Sequence, residues 1–339
     1  MKLLDCTLRD GGYLTNWDWK ISLVKKYLEV MSKYVDIIEL GYRSPKNEKF
    51  HKYGDYRFCD DAILGKIFSF ADINPRAEFG VMVDLKDYVE NGYLDWGLLE
   101  NNFYPNTCDI VFDWVRIAIS ADQWDQCKPA IAILKDLGYK IIVSVMKCST
   151  VEKQILQTKE DFELAYDIDV MYIADSFGAC YGDIMNQRLD QIWARKIIDT
   201  EVGNNLYGIH CHNHLNMAFA NCINTRVHYC DGTICGLGRG PGNCDIEDII
   251  AYRDCVVPED IENLRKEHFE KLKLLCDCHT NNAYRYSAIN NIHPRYVDHI
   301  KNKLNIESEF GTIKILEKLS YDDYENFNSN YKKKGGCDD

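Results

Sequence analysis

Eight short runs rich in β-branched and aliphatic residues recur along this chain, at residues 3–7, 35–40, 79–83, 114–119, 140–145, 170–174, 206–210 and 233–236. Each ends in polar residues or glycine, and between most of them lie segments of helical period such as 21–32, 128–137 and 188–199. Strands alternating with helices imply βαβ units, because a parallel neighbour needs a long crossover. Eight such units, with both faces needing cover, predict an α/β protein built as a closed (β/α)8 TIM barrel. An open doubly wound sheet is the competing layout. It would want a glycine fingerprint after the first strand, and Arg9-Asp10-Gly11-Gly12 is not one. The 339 residues leave room for a barrel of roughly 250 and an appendage. The alternation stops near Asp254, so the barrel is expected over 1–255, a helical C-terminal extension over 256–320 and a frayed polar tail over 321–339.

The polar residues at the strand ends carry the functional signal. Asp10 follows the first strand, Glu39 and Arg43 flank the end of the second, and Asp84 ends the third. Arg116 lies in the fourth, Lys147 ends the fifth, Asp175-Ser176 ends the sixth, and His210 and His212 end the seventh. In a barrel these termini converge on one face, where active sites of this fold sit. Glu39, Arg43, Arg116 and Ser176 are therefore assigned to substrate binding and Asp175 to catalysis.

Residues two apart in a strand point the same way, so His210 and His212 present both imidazoles to one side and Cys211 to the other. With Asp10 they make a mixed nitrogen and oxygen set suited to Mn²⁺, Mg²⁺, Co²⁺ or Zn²⁺. Gly236-Leu237-Gly238-Arg239-Gly240-Pro241-Gly242-Asn243 lacks the Lys-Ser/Thr of a P-loop. Its glycines let the backbone approach a ligand, and Asn243 could add a side-chain oxygen to the metal. A metal that polarises a 2-oxo acid, with Arg9 holding the developing enolate oxygen, suits carbon–carbon bond cleavage or formation beside a carbonyl.

Composition narrows the partners. A formal charge of −13 argues against nucleic acid or an anionic membrane surface, and leaves room for a local basic pocket. No run approaches the roughly 18 apolar residues of a membrane span. Fifteen cysteines occur, and Met1-Lys2 leads into Asp5, Arg9 and Asp10 without an apolar signal region. Reduced, buried thiols in a cytoplasmic protein are expected. The partners expected are a small 2-oxo acid and an aldehyde, and a homodimer is left open.

Thr7-Leu8-Arg9-Asp10-Gly11, His210-Cys211-His212 and the Gly236–Asn243 segment resemble the signatures of the metal-dependent lyase and aldolase superfamily. That superfamily has a TIM-barrel fold and includes 4-hydroxy-2-oxovalerate aldolase, HMG-CoA lyase, and the isopropylmalate and homocitrate synthases. The resemblance covers roughly residues 1–255 and is greatest to the pyruvate aldolases. It implies Asp10, His210 and His212 as metal ligands, Asn243 as a further one, and Arg9 as the group that stabilises a pyruvate enolate. The condensing synthases usually carry Glu-Gln where Gly12-Tyr13 stand here, so a Claisen-type acyl-CoA reaction is the weaker enzyme reading. A non-catalytic scaffold is a third, opposed by the intact ligand set. The aldolases place a histidine base about where Tyr13 stands. Tyr13 is carried as the catalytic residue there, with His214, Lys147 and Tyr286 as other candidates for proton transfer. Arg9 through Tyr13 with Asn16-Trp17 resembles an aldolase-like subgroup associated with surface-polysaccharide sugar pathways. The 283–296 segment does not match the part of the aldolases that docks an aldehyde dehydrogenase, so that partner is not expected. Its tyrosines are expected to pack.

Overall fold

The structure, a computed structural model, describes residues 1–70, 72–104, 112–194, 206–275, 278–304, 306 and 308–318. Eight parallel strands follow one another: β1 (Lys2–Asp5), β2 (Ile37–Tyr42), β3 (Glu78–Asp84), β4 (Trp114–Ile119), β5 (Lys140–Val145), β6 (Val170–Asp175), β7 (Leu206–Cys211) and β8 (Tyr229–Gly232). Each pairs with its sequence neighbour, and β1 closes the ring by pairing with β8 at Leu3↔Cys230 and Asp5↔Gly232. Closure excludes the open doubly wound sheet, because no strand edge remains.

Two expected elements are corrected. The run at 233–236 is not the eighth strand. β8 ends at Gly232, and Ile234–Gly236 turns back with Cys235 at φ 55°. Pairing with β1 sets that register, and a left-handed residue cannot continue a strand. The first run, expected over 3–7, ends as a strand at Asp5. Thr7–Asp10 forms one helical turn directly after β1, so Asp10 sits above the strand end rather than on it. The expected helix over 188–199 is seen as Ile184–Ile192, and residues 195–199 lie outside the described residues.

Strand parity builds the barrel interior in layers. Leu4, Ile37, Trp114, Ile142, Val170, Tyr172 and Tyr229 form a closed apolar cluster near the strand starts. Two residues further on, the same faces carry Glu39, Arg116, Ser144 and Asp231, all buried. Two further again come Ala118, Met146 and Ala174, which line an open cavity. The alternate face of each strand, for example Leu3, Ile38, Val115, Ile117 and Ile209, packs under the surrounding helices in the main core.

One strand breaks the alternation. The β2–β3 register shifts between Glu39 and Tyr42, with Gly41 at the irregularity. A Cβ on Gly41 would fall 2.1 Å from the Tyr56 carbonyl oxygen, so only glycine lets that loop close on the strand. The bulge reverses facing after Glu39: Tyr42 turns to the cavity and Arg43 turns away from it.

The C-terminal segment has two parts. Helical residues in Glu259–Leu264 and Arg265–Phe269 send Ile261, Leu264 and Phe269 into the main core. Helices Asn282–Ile289, Arg295–Lys303 and Glu309–Leu316 build a small core of their own around Tyr284, Tyr296, Val297 and Ile300. The tail 321–339 lies outside the described residues.

Candidate active site

The strand ends open into a cavity of about 200 Å³, lined by Arg9, Asp10, Tyr13, Tyr42, His210 and His212 on one side. Ligand atoms of Asp10, His210 and His212 all lie within 4.8 Å of one another. Asp10 reaches this point from its one-turn helix, His210 from β7, and His212 from the position just past the end of β7 by the expected parity. The imidazole rings stand 4.9 Å apart at 88°.

A chain of buried charges fixes this group. Arg9 Nη1 donates to Asp10 Oδ1 at 2.6 Å, and its Nε donates to Glu39 Oε2 at 2.7 Å. Glu39 Oε1 lies 3.0 Å from Arg116 Nε. Arg116 then grips Asp231 with two nitrogens, at 2.5 and 3.1 Å, and rests 4.5 Å over the Tyr172 ring. Asp231 Oδ2 meets His210 Nδ1 at 3.1 Å, which assigns the ring proton to Nδ1 and leaves Nε2 facing Asp10 Oδ2 at 3.8 Å. A carboxylate behind a histidine in this way fixes its tautomer and orients it as a ligand.

Titration follows from these contacts. Burial pushes the Asp10 carboxyl up, but Arg9, His210 and His212 outweigh it and hold it at about 2. Asp231 is likewise held low by Arg116 and His210 against burial. Burial and the neighbouring His210 push His212 down to about 3, despite Asp10. Asp10 is thus charged and His212 neutral across the physiological range, the states a metal ligand needs.

The donor set fits a divalent cation on independent grounds. Three buried carboxylates (Asp10, Glu39, Asp231) face two guanidiniums (Arg9, Arg116), which leaves the cluster one negative charge in excess. His212 Nδ1 and Asn243 Oδ1 are buried without a hydrogen-bond partner. Asn243 is brought to the site by its backbone bridge to His212, and its Nδ2 donates to Asp10 Oδ2 and to the Leu237 carbonyl at 2.9 Å. Gly238 makes room here, since a Cβ would fall 2.6 Å from Asn243 Nδ2 and 2.9 Å from Asp10 Oδ2. Arg9 Nη2 also lacks a partner. Both orphan acceptors and an orphan donor inside one charged cluster mark a place for a cation and an oxyanion.

The remaining assigned residues divide. Tyr13 lines the cavity, its hydroxyl 3.1 Å from Tyr42 and its ring 4.8 Å under the Arg239 guanidinium. Arg116 and Ser176 line the cavity, and Ser176 Oγ accepts from the Lys147 amide at 3.0 Å. Glu39 is a buried brace between the two arginines rather than a lining group. Arg43 does not reach the cavity. The bulge at Gly41 turns it outward, where it donates to the Asn102 and Cys59 carbonyls and to Asp61. Asp175 does not reach it either. Its parity is opposite to Ala174 and Ser176, and its carboxylate accepts from the Ala179 and Cys180 amides, shaping the loop after β6.

Several residues of the site were not assigned from sequence: Asp231, buried behind His210, and four residues that line the cavity. Asp231 shares the parity of Tyr229, a signal hidden when the eighth strand is placed at 233–236. Lys86, Arg239, His293 and Arg295 are the four in the cavity lining. The last two come from the C-terminal segment, which therefore closes over the barrel mouth. Tyr284 packs there as expected, its ring 5.7 Å from His214 and its hydroxyl bonded to Asp298. The twelve cysteines among the described residues are free thiols, all buried except Cys255. No helix among the described residues is long and apolar enough to cross a membrane.

The HMGL-like family model matches residues 107–256. A 4-hydroxy-2-oxovalerate aldolase from Carboxydothermus hydrogenoformans is 31% identical over 257 residues, covering 74% of this chain and 70% of the relative. An oxaloacetate decarboxylase from Mycobacterium tuberculosis is 23% identical over 260 residues, covering 74% and 68%. Among solved structures, the N-terminal domain of a Bacteroides vulgatus protein provisionally assigned as an aldolase superposes with a TM-score of 0.74 at 25% identity, covering 90% of this chain and 98% of that domain. Similarity at this level across most of both sequences, on a closed barrel with Asp10, His210 and His212 gathered at its mouth, places this chain in the HMGL-like family.

Proposed function

We propose that this lyase is a divalent-metal-dependent aldolase that cleaves or forms a 4-hydroxy-2-oxo acid through a pyruvate enolate. The observation that carries the reading is the Asp10, His210 and His212 cluster beside the unpartnered Nη2 of Arg9. Asp10, His210 and His212 would hold the metal, Mn²⁺ or Mg²⁺ before Co²⁺ or Zn²⁺, with Asn243 Oδ1 near enough in the network to assist. When bound, the ion supplies Lewis-acid polarisation of the 2-oxo acid.

The chain's own residues do the rest. Arg9 is clamped through Nε and Nη1, so Nη2 is a pre-aimed donor for an enolate oxygen whose charge develops during the reaction. Asp231 keeps His210 in one tautomer. Tyr13 and Tyr42 stand over the same wall with their hydroxyls in contact, which gives a route for the proton of the substrate hydroxyl. The curated relatives named as 4-hydroxy-2-oxovalerate aldolases support the pyruvate-aldolase class. A role in sugar or surface-polysaccharide metabolism is the pathway reading we attach to it, from the Arg9–Tyr13 motif with Asn16-Trp17.

Exchange of pyruvate methyl protons in D₂O tests enolisation directly. Metal-loaded protein should exchange them, and chelated protein and the Asp10→Ala and His212→Ala variants should not. Absence of exchange in metal-loaded wild type, with metal shown to be bound, removes the enolate from the reading.

A further inference from the structure

The cavity wall away from the metal cluster is cationic. Six lining side chains are Lys or Arg (Arg9, Lys86, Arg116, Lys147, Arg239, Arg295) and two are carboxylates (Asp10, Asp84), on a chain whose formal charge is −13. Arg9 and Arg116 belong to the metal-side network, and Lys86 pairs with Asp84 at 3.0 Å. Lys147, Arg239 and Arg295 reach the cavity from three separate elements: the end of β5, the loop after β8, and the start of the Arg295–Lys303 helix. Sequence adjacency does not explain their meeting. Only the fold brings them together.

Resting on the aldolase reading, we infer that this wall binds an oxyanion, a carboxylate or phosphate carried by the aldehyde acceptor, through Lys147, Arg239 and Arg295. Three observations support it. Lys147 is a non-glycine residue at φ 57°, a left-handed conformation that costs free energy and is held by its amide's bond to Ser176 Oγ. Among the described residues no carboxylate pairs with its ammonium group, and burial together with Arg295 pushes its pKa down. His293, beside them, is buried and pushed well below its ordinary value by that burial and by Arg239, Arg295 and Lys147, so it stays neutral. An anion arriving beside Lys147 in this partly dry cavity is bound by charge-assisted hydrogen bonds stronger than those in water.

The wall also separates the roles of the two substrates. The 2-oxo acid has its own partners at the metal cluster. A second anionic group on the acceptor would be recognised across the cavity, which selects carboxylated or phosphorylated aldehydes over acetaldehyde.

Calorimetric titration of chelated protein with inorganic phosphate and with malonate tests the wall without metal or turnover. One saturable site per chain is expected, weakened about tenfold or more in Lys147→Met and separately in Arg295→Met, the loss of a charge-assisted contact, and retained in Lys147→Arg. No saturable binding, or equal binding in both methionine variants with unchanged thermal midpoints, overturns the inference. A second arm compares condensation of pyruvate with acetaldehyde, glyoxylate and glycolaldehyde phosphate. Preference for glyoxylate identifies a carboxylate and preference for glycolaldehyde phosphate a phosphate. The ratio of kcat/KM for that acceptor to kcat/KM for acetaldehyde should fall in both methionine variants. Acetaldehyde used as well as either anionic acceptor overturns the inference, as does a variant defect confined to the KM for pyruvate. Pyruvate exchange in wild type reads the aldolase proposal separately: its absence with anion binding intact sinks that proposal alone, and its presence without anion binding sinks the anion wall alone.

Discussion

Arg9 carries three tasks on one guanidinium. Nε and Nη1 are bound to Glu39 and Asp10, and Nη2 remains a buried donor with nothing to meet. A lysine offers one compact ammonium and cannot reproduce that fork. Arg9→Lys should therefore lower kcat by about 10²-fold or more, the scale of losing an oxyanion donor, while metal content stays near wild type. Loss confined to KM would show that Arg9 acts on ground-state binding. Asp231 acts one step removed, as a positioning residue for His210. Asp231→Asn should weaken metal affinity by roughly 10–100-fold, as measured by competition with a metallochromic indicator. Unchanged affinity would mean that His210 needs no carboxylate behind it. Tyr13→Phe keeps the ring under Arg239 and deletes the hydroxyl facing Tyr42. If that hydroxyl relays the substrate proton, carbon–carbon cleavage should slow while pyruvate exchange continues. Identical pH–rate profiles for variant and wild type would remove it from the mechanism.

At the scale of elements, parity explains both what could be read from sequence and what could not. His210 and His212 were legible because two imidazoles at i and i+2 of one strand have a single consequence for facing. Arg43 shares the parity of Glu39 in the sequence, and nothing in its type announces that Gly41 lets the strand bulge between them. Asp175 lies at a strand end like the true lining residues, but on the outward parity. Asp231 was missed because the β-branched Thr233-Ile234 pair outweighed the register that β1 imposes on β8. Arg295 starts a C-terminal helix and His293 lies in the loop before it, outside the barrel's period, so only tertiary packing reveals them. The bulge gives a test at this scale. Gly41→Ala must move a Cβ away from the Tyr56 carbonyl it would meet at 2.1 Å. The variant should lose about 1–3 kcal/mol of stability in urea, and its metal affinity should fall with the displacement of Glu39. Stability loss with unchanged metal affinity would uncouple the bulge from the site.

The whole molecule holds a pH dependence in which opposite signs compete. Burial pushes His214 and His293 well below 6.5 and takes His212 to about 3. Unfolding exposes these rings, which then take up protons, so they remove stability from the chelated protein as pH falls below about 6.5. Glu247 works in the other direction. It is buried, its carboxylate oxygens accept from the Cys235 amide at 2.9 and 3.1 Å, and burial raises its pKa from 4.5 to about 7. Between those two values the folded state holds a proton that the unfolded state has lost. Its contribution is therefore fully favourable below about 4.5 and is lost as pH rises through 7. Glu247→Gln keeps an oxygen for the Cys235 amide, and with it the left-handed turn that starts the Gly236–Asn243 loop, but removes the ionisation. The variant should be more stable than wild type at pH 8, by at most roughly 3 kcal/mol, and the gain should disappear towards pH 5. Urea midpoints measured across that range on chelated protein read the difference directly. A gain independent of pH would place the effect in packing, and a gain that grows on acidification would reverse the sign assigned to Glu247.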